Sequence, residues 1–119
     1  MKRKTIRNHN DFFVPQTDLM AVSDYFLVKA KNAKIPCDAR YGIITSKKTF
    51  KLAVQRNRAK RLMRDWIAFN EDLMNDNLDY IFIPRSAILG AQRQDGREKL
   101  EKALNKILKT YEQNTKKSS

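Results

Sequence analysis

The stretch Ser46–Arg64, SKKTFKLAVQRNRAKRLMR, holds eight Lys or Arg and no Asp or Glu. Guanidinium and ammonium groups at this density suit one kind of chemistry above others. They donate charge-assisted hydrogen bonds to phosphate oxygens, and neutralising phosphates releases condensed counterions. Like charges three or four apart on a helix repel one another, so the run calls for a negative charge from outside the chain. Between two of its arginines lies Asn57, which can donate to and accept from a base edge or a sugar, or serve as a polar residue at a helix start. The alternatives are a solvated face and a membrane-surface helix. The missing acids argue against the first. Against the second, the apolar side holds Leu62, Trp66 and Ile67 in the middle of the chain, where core packing is the better use.

Few other residues offer chemistry. The one histidine, His9, lies in the N-terminal segment, and one His with one Cys is no zinc cluster. Three glycines, Gly42, Gly90 and Gly96, form no phosphate loop. Glu71, Asp72, Asp76 and Asp79 are the only carboxylates grouped closely enough for a metal-dependent nuclease. Their place at a helix end and loop suits solubility better. Cys37 has no partner for a disulfide, which points to a reducing cytoplasm and to no chemical role.

Composition agrees with a polyanion as partner. The 119 residues carry a net charge of +12, and hydrophobic residues make up 41%, enough for a single packed domain over 1–119. Residues 1–64 hold 16 Lys/Arg against 4 Asp/Glu, and residues 65–119 hold 9 against 9, so the whole excess lies in the first half. The longest apolar runs, such as YFLV and YIFI, are far short of the roughly 20 residues of a spanning helix. No apolar segment follows the basic N-terminus, so a secretion signal is not expected.

Among the elements that must carry these residues, Asn10–Met20 reads as a short helix limited by Pro15. Tyr25–Lys31 and Arg40–Ser46 read as strands, with IPCD (35–38) a turn between them. A long helix follows from about Leu52 to Met74. Ala59, Leu62, Met63, Trp66, Ile67, Asn70, Leu73 and Met74 fall on one side, and Asn57, Arg61 and Arg64 on the other. Lys60 and Arg58 flank the polar face; Arg56 falls nearer the apolar side, in the first turn. DYIFIPR (79–85) is an interior strand leaving at Pro84. After a loop at 90–96, Asp95 and Glu98 suggest a capping box for a last helix striped by Leu100, Ala103, Leu104, Ile107, Leu108 and Tyr111. The ends, MKRK and NTKKSS, read as frayed. Together these make an α+β (α/β) sandwich of about four strands packed with about three helices. The aromatics Phe12, Phe13, Tyr25, Phe26 and Tyr41 are core or, beside so many cations, stacking surfaces for single-stranded RNA.

RYGIITSKK (40–48), then AVQRNRAKRLMR (53–64), then DYIFIPR (79–85), in this order and spacing, resemble the protein subunit of bacterial ribonuclease P, from about Asn10 to Tyr111. The resemblance implies an α/β sandwich in which the RNR helix forms a left-handed βαβ crossover, against the usual hand. It implies an endoribonuclease whose RNA subunit removes the 5′ leader of precursor tRNA with Mg²⁺ held mainly by that RNA, while the protein binds the RNA and supplies no catalytic residue. Carried over, Lys47, Lys48, Arg56, Asn57, Arg58, Lys60, Arg61 and Arg64 face RNA. A cleft between the first helix and the sheet takes the leader; Phe12 matches the family's first-helix aromatic. The family's second aromatic falls on Gln16, after Pro15, and a strand aromatic on Lys29, leaving Phe13, Phe26 or Tyr25 to fill the cleft. The loop TFKL (49–52) is one residue longer than usual and lacks a glycine. No obligate protein partner and no membrane are implied. The rival readings are an RNA-binding, ribosomal-protein-like module without a role in cleavage and a protein-only nuclease built on the acidic group.

Overall fold

The structure, a computed structural model, describes residues 3–14 and 17–117. A five-stranded sheet in the order β1-β4-β5-β3-β2 carries two α-helices. The strands are β1 (Lys4–Thr5), β2 (Met20–Val22), β3 (Phe26–Asn32), β4 (Arg40–Ile43) and β5 (Leu78–Pro84); the helices are α1 (Ala53–Phe69) and α2 (Arg93–Lys117). β3 and β5 pair antiparallel from Phe26↔Pro84 to Asn32↔Leu78, and β4 lies parallel to β5, joined to it through α1. β1 pairs parallel with β4 and β2 antiparallel with β3, each at an edge.

Strand alternation decides what is buried. Phe26, Val28 and Ala30 of β3, Tyr41 of β4, and Leu78, Tyr80 and Phe82 of β5 point to one side. There they meet Ala59, Met63, Trp66 and Ile67 of α1 and Leu100, Leu104 and Ile107 of α2 in one hydrophobic cluster. Trp66 is fully buried, edge-on to Phe26 with ring centroids 6.3 Å apart. Gly96 of α2 makes room for it: a Cβ there would lie 2.1 Å from Trp66 Cζ2. The opposite sheet face carries Leu27, Lys29, Lys31, Arg40, Gly42, Ile81 and Ile83, and neither α1 nor α2 packs on it.

Several expectations change. Asn10–Met20 is no helix: His9–Phe12 forms a short 3-10 turn capped by the Asn8 side chain, and the chain re-enters the sheet at Met20. Pro15 and Gln16 lie outside the described residues. A residue before proline is driven out of the helical region, which disfavours continuing past Val14. The long helix stops at Phe69 rather than near Met74. Buried Asn70 caps it, and its side-chain amide donates to the carbonyls of Trp66 and Arg97, both at 3.1 Å. Leu73 and Met74 reach the core through a separate 3-10 turn, Glu71–Leu73.

The last helix begins at Arg93, so Asp95 lies inside its first turn and takes a 2.5 Å hydrogen bond from the Tyr25 hydroxyl. Glu98 accepts instead from Gln94. The N-terminus is anchored from Arg3 onward. The Arg3 guanidinium donates to the carbonyls of Leu78 (2.7 Å) and Asn75 (2.8 Å), sits 3.6 Å from Asp76 and lies over the Tyr80 ring. At the other end, α2 extends to Lys117.

Candidate nucleic-acid interface

Helix α1 packs one side into the core and leaves the other exposed. Asn57, Arg58, Arg61 and Arg64 are exposed and Lys60 is half-buried. Lys47 and Lys48 stand exposed in the turn before the helix, where Ser46 Oγ accepts from the Thr49 amide and buried Phe50 anchors the loop TFKL to the core. Among the described residues, the side chains of Lys47, Lys48, Asn57, Lys60, Arg61 and Arg64 have no hydrogen-bond or ion-pair partner. Arg58 reaches only the Leu89 carbonyl, at 3.5 Å. The nearest acid in sequence, Asp65, is taken by Arg97 (3.1 Å) and Arg93 (3.7 Å). The basic face is therefore left uncompensated, as the sequence predicts.

Arg56 differs from the rest of the set. It folds back, and its Nη1 donates to the carbonyls of Phe50 (2.8 Å) and Lys51 (3.2 Å). It thereby braces the loop that feeds α1, consistent with its place nearer the apolar side.

The helix-free sheet face is built differently. Register places Met20 opposite Lys29 and Val22 opposite Leu27, with Ile81 and Ile83 next in the same rows on β5. Met20 (38% exposed) and Val22 (60%) lie open. The 3-10 turn covers part of this face. Phe12 lies against Gly42, where a Cβ would come within 2.3 Å of its ring, and Phe13 is 72% exposed beside Ile44.

Three cations pin that turn. Lys34 and Arg40 each hold the Asp11 carboxylate at 3.0 Å, and Lys31 donates to the backbone carbonyls of Asp11 and Phe13. The hydrogen bond from Lys34, then that from Arg40, keeps the Asp11 carboxyl below its ordinary range. Arg40 also reaches buried Asp79, at 3.2 Å.

Of the expected cleft residues, Phe12, Phe13 and Lys29 share this face. Phe26 does not: alternation turns it to the other side, fully buried against Trp66. Tyr25 is likewise unavailable, held between the Trp66 ring, Asp95 and the Lys99 ammonium; its bond to Asp95 raises the phenol pKa. Sequence reading missed Met20 and Val22, because a three-residue edge strand shows no period of its own. A groove lined by Thr5, Phe12, Gly42, Lys60 and Arg64 joins the basic helix to the pinned turn. The separately predicted cations and aromatic thus meet.

The acidic group does not converge on a site. Asp79 is buried with Arg40, Asp76 faces Arg3, and the Arg3 amide donates to Glu71 at 3.4 Å. Among the described residues, no three His, Cys, Asp or Glu are placed to hold a metal ion. Nor, among them, is any helix long and apolar enough to cross a membrane.

Residues 1–108 match the family described as Ribonuclease P. The Ribonuclease P protein component of Fusobacterium nucleatum is 42% identical over 72 residues, covering 60% of this chain and 63% of that protein. That of Marinomonas is 40% identical over 70 residues, 59% of this chain and 52% of that protein. These curated matches span less than two thirds of either relative. Among solved structures, the RNase P protein of Staphylococcus aureus superposes with a TM-score of 0.66 at 26% identity, over 87% of this chain and 94% of that one. The Thermotoga maritima RNase P protein gives 0.60 at 26%, over 71% and 79%.

Proposed function

Since the chain belongs to the ribonuclease P protein family, we propose that it is the RNA-binding protein component of a bacterial ribonuclease P, assisting an RNA subunit that removes the 5′ leader from precursor tRNA. The observation that carries this reading is the uncompensated basic face of α1. Among the described residues, Asn57, Lys60, Arg61 and Arg64 have no partners, on a helix whose other side is locked into the core. Phosphates of the RNA subunit supply the missing charge. The protein contributes by lowering the repulsion between two polyanions, enzyme RNA and substrate, and so strengthens their association.

The leader of the precursor tRNA passes over the helix-free sheet face. Phe12 and Phe13 offer ring surface, Met20, Val22, Leu27 and Ile83 an apolar floor, and Lys29 a charge for a phosphate. The chemistry uses Mg²⁺, and the fit of this chain to that ion is poor, because its grouped carboxylates do not converge. Three of the four, Glu71, Asp76 and Asp79, contact Arg3 or Arg40, and among the described residues no three acids gather to hold a metal, so we assign the ion to the RNA subunit and no catalytic group to the protein. A reducing cytoplasm suits the exposed thiol of Cys37.

The test is cleavage of a precursor tRNA at low Mg²⁺ by a bacterial ribonuclease P RNA, with and without this protein. Cleavage that requires both supports the reading. Tight RNA binding with no stimulation would leave a binding module alone, and cleavage by the protein without RNA would mean a nuclease of a different kind.

A further inference from the structure

Two grooves meet at Thr5 on the outer edge of β1. One runs from Thr5 past Phe12 to Lys60 and Arg64 of α1. The other is bordered by Lys4, Thr5, Arg7 and Arg40. β1 is the last strand on its side of the sheet, so its outer edge has no neighbouring strand. Arg7 is exposed and, among the described residues, has no hydrogen-bond or ion-pair partner. Lys4 pairs with Asp38 at 3.1 Å, but the two side chains are 70% and 43% exposed. Such a pair is weak and yields to a denser anion. Arg40, by contrast, is committed to Asp11 and Asp79. The uncompensated charge of α1 therefore does not end at the helix. It continues through Lys60 and Arg64, across Thr5, to Arg7 and Lys4.

We propose that this β1 edge is a second track for the sugar–phosphate backbone of the RNA subunit, with Arg7 its main phosphate contact and Lys4 a lesser one. It rests on the reading of the chain as a ribonuclease P protein. The occupant is an RNA backbone because the grooves offer separate cations along a strand edge, with no enclosed pocket and no acid in either lining. The RNA is the subunit already held by α1, because Lys60 and Arg64 form a wall of the same groove.

Affinity for ribonuclease P RNA alone, measured over a range of salt, tests this. Arg7→Ala should weaken binding about three- to tenfold and lower the log–log salt slope by about 1. Thr5→Glu removes no cation but places an acid where the grooves join, and should weaken binding further. Exposed Lys102 on α2 is the control, and Lys102→Ala should change neither quantity. Melting curves matching the parent show that the variants fold. If Arg7→Ala and Thr5→Glu bind like the parent while Arg61→Ala loses affinity, the edge lies outside the interface and only this proposal falls. A loss seen only after precursor tRNA is added would assign the edge to substrate and overturn it too. If Arg61→Ala is also silent, the reading of α1 itself fails.

Discussion

Arg56 and Arg61 lie on one helix yet perform different tasks. Arg61 has no partner among the described residues, so Arg61→Ala should leave stability within about 0.5 kcal/mol while lowering the salt slope of RNA binding by about 1. Arg56 holds two loop carbonyls, so Arg56→Ala should cost about 1 kcal/mol of stability, read from a denaturant midpoint. Gly96 gives a sharper case. Gly96→Ala drives a methyl into Trp66, which is enclosed on all sides, and overpacking of this kind costs about 1–3 kcal/mol. Tryptophan fluorescence during urea unfolding reports it directly. The sequence told Arg61 from Arg56 by angle around the helix, since 100° per residue is a rule of the helix itself. It could not tell Phe26 from Phe13 as a cleft residue, because both are aromatic and only the pairing of β3 with β5 shows which way Phe26 points.

At the scale of elements, α1, β4 and β5 were readable because each carries its own period or apolar run. The stretch from Asn10 to Met20 was not. Its conformation is set by distant cations, Lys31, Lys34 and Arg40, which hold the turn on the sheet. This pin depends on pH. The Asp11 carboxyl has a depressed pKa in the folded state. Its contribution is therefore present above the ordinary carboxylate range and lost as pH falls through the depressed value. Melting followed from neutral pH into acid should show Asp11→Asn below the parent at neutral pH and converging with it in acid. The clasp between α1 and α2 is a separate device. Asn70 is 4% exposed and ties the end of α1 to the Arg97 carbonyl of α2. Asn70→Ala leaves that carbonyl without its donor and should cost about 1–3 kcal/mol.

The whole molecule carries +12, and the free protein must fold against that repulsion. Ions that bind the native basic surface stabilise it by mass action. Sulfate or phosphate should raise the melting temperature above that in chloride at equal ionic strength. Arg61→Ala should reduce the gain, since one of the binding charges is gone. The charge asymmetry between the two halves was legible from residue counts alone. The edge strands were not, because β1 pairs only through Lys4↔Arg40 and Thr5↔Tyr41. So short a segment becomes a strand only once its neighbour exists.

That dependence sets an order in time. Arg3 leaves the ribosome well ahead of its partners, the carbonyls of Asn75 and Leu78. At roughly 5–20 residues per second of synthesis, Arg3 waits several seconds for the segment that holds it. Until then β4 presents a bare edge, and Arg3, Lys4 and Arg7 are loose cations beside other RNA. Arg3 is thus fixed only after a segment made more than seventy residues later, and a nascent chain cut short before Leu78 cannot close its own sheet.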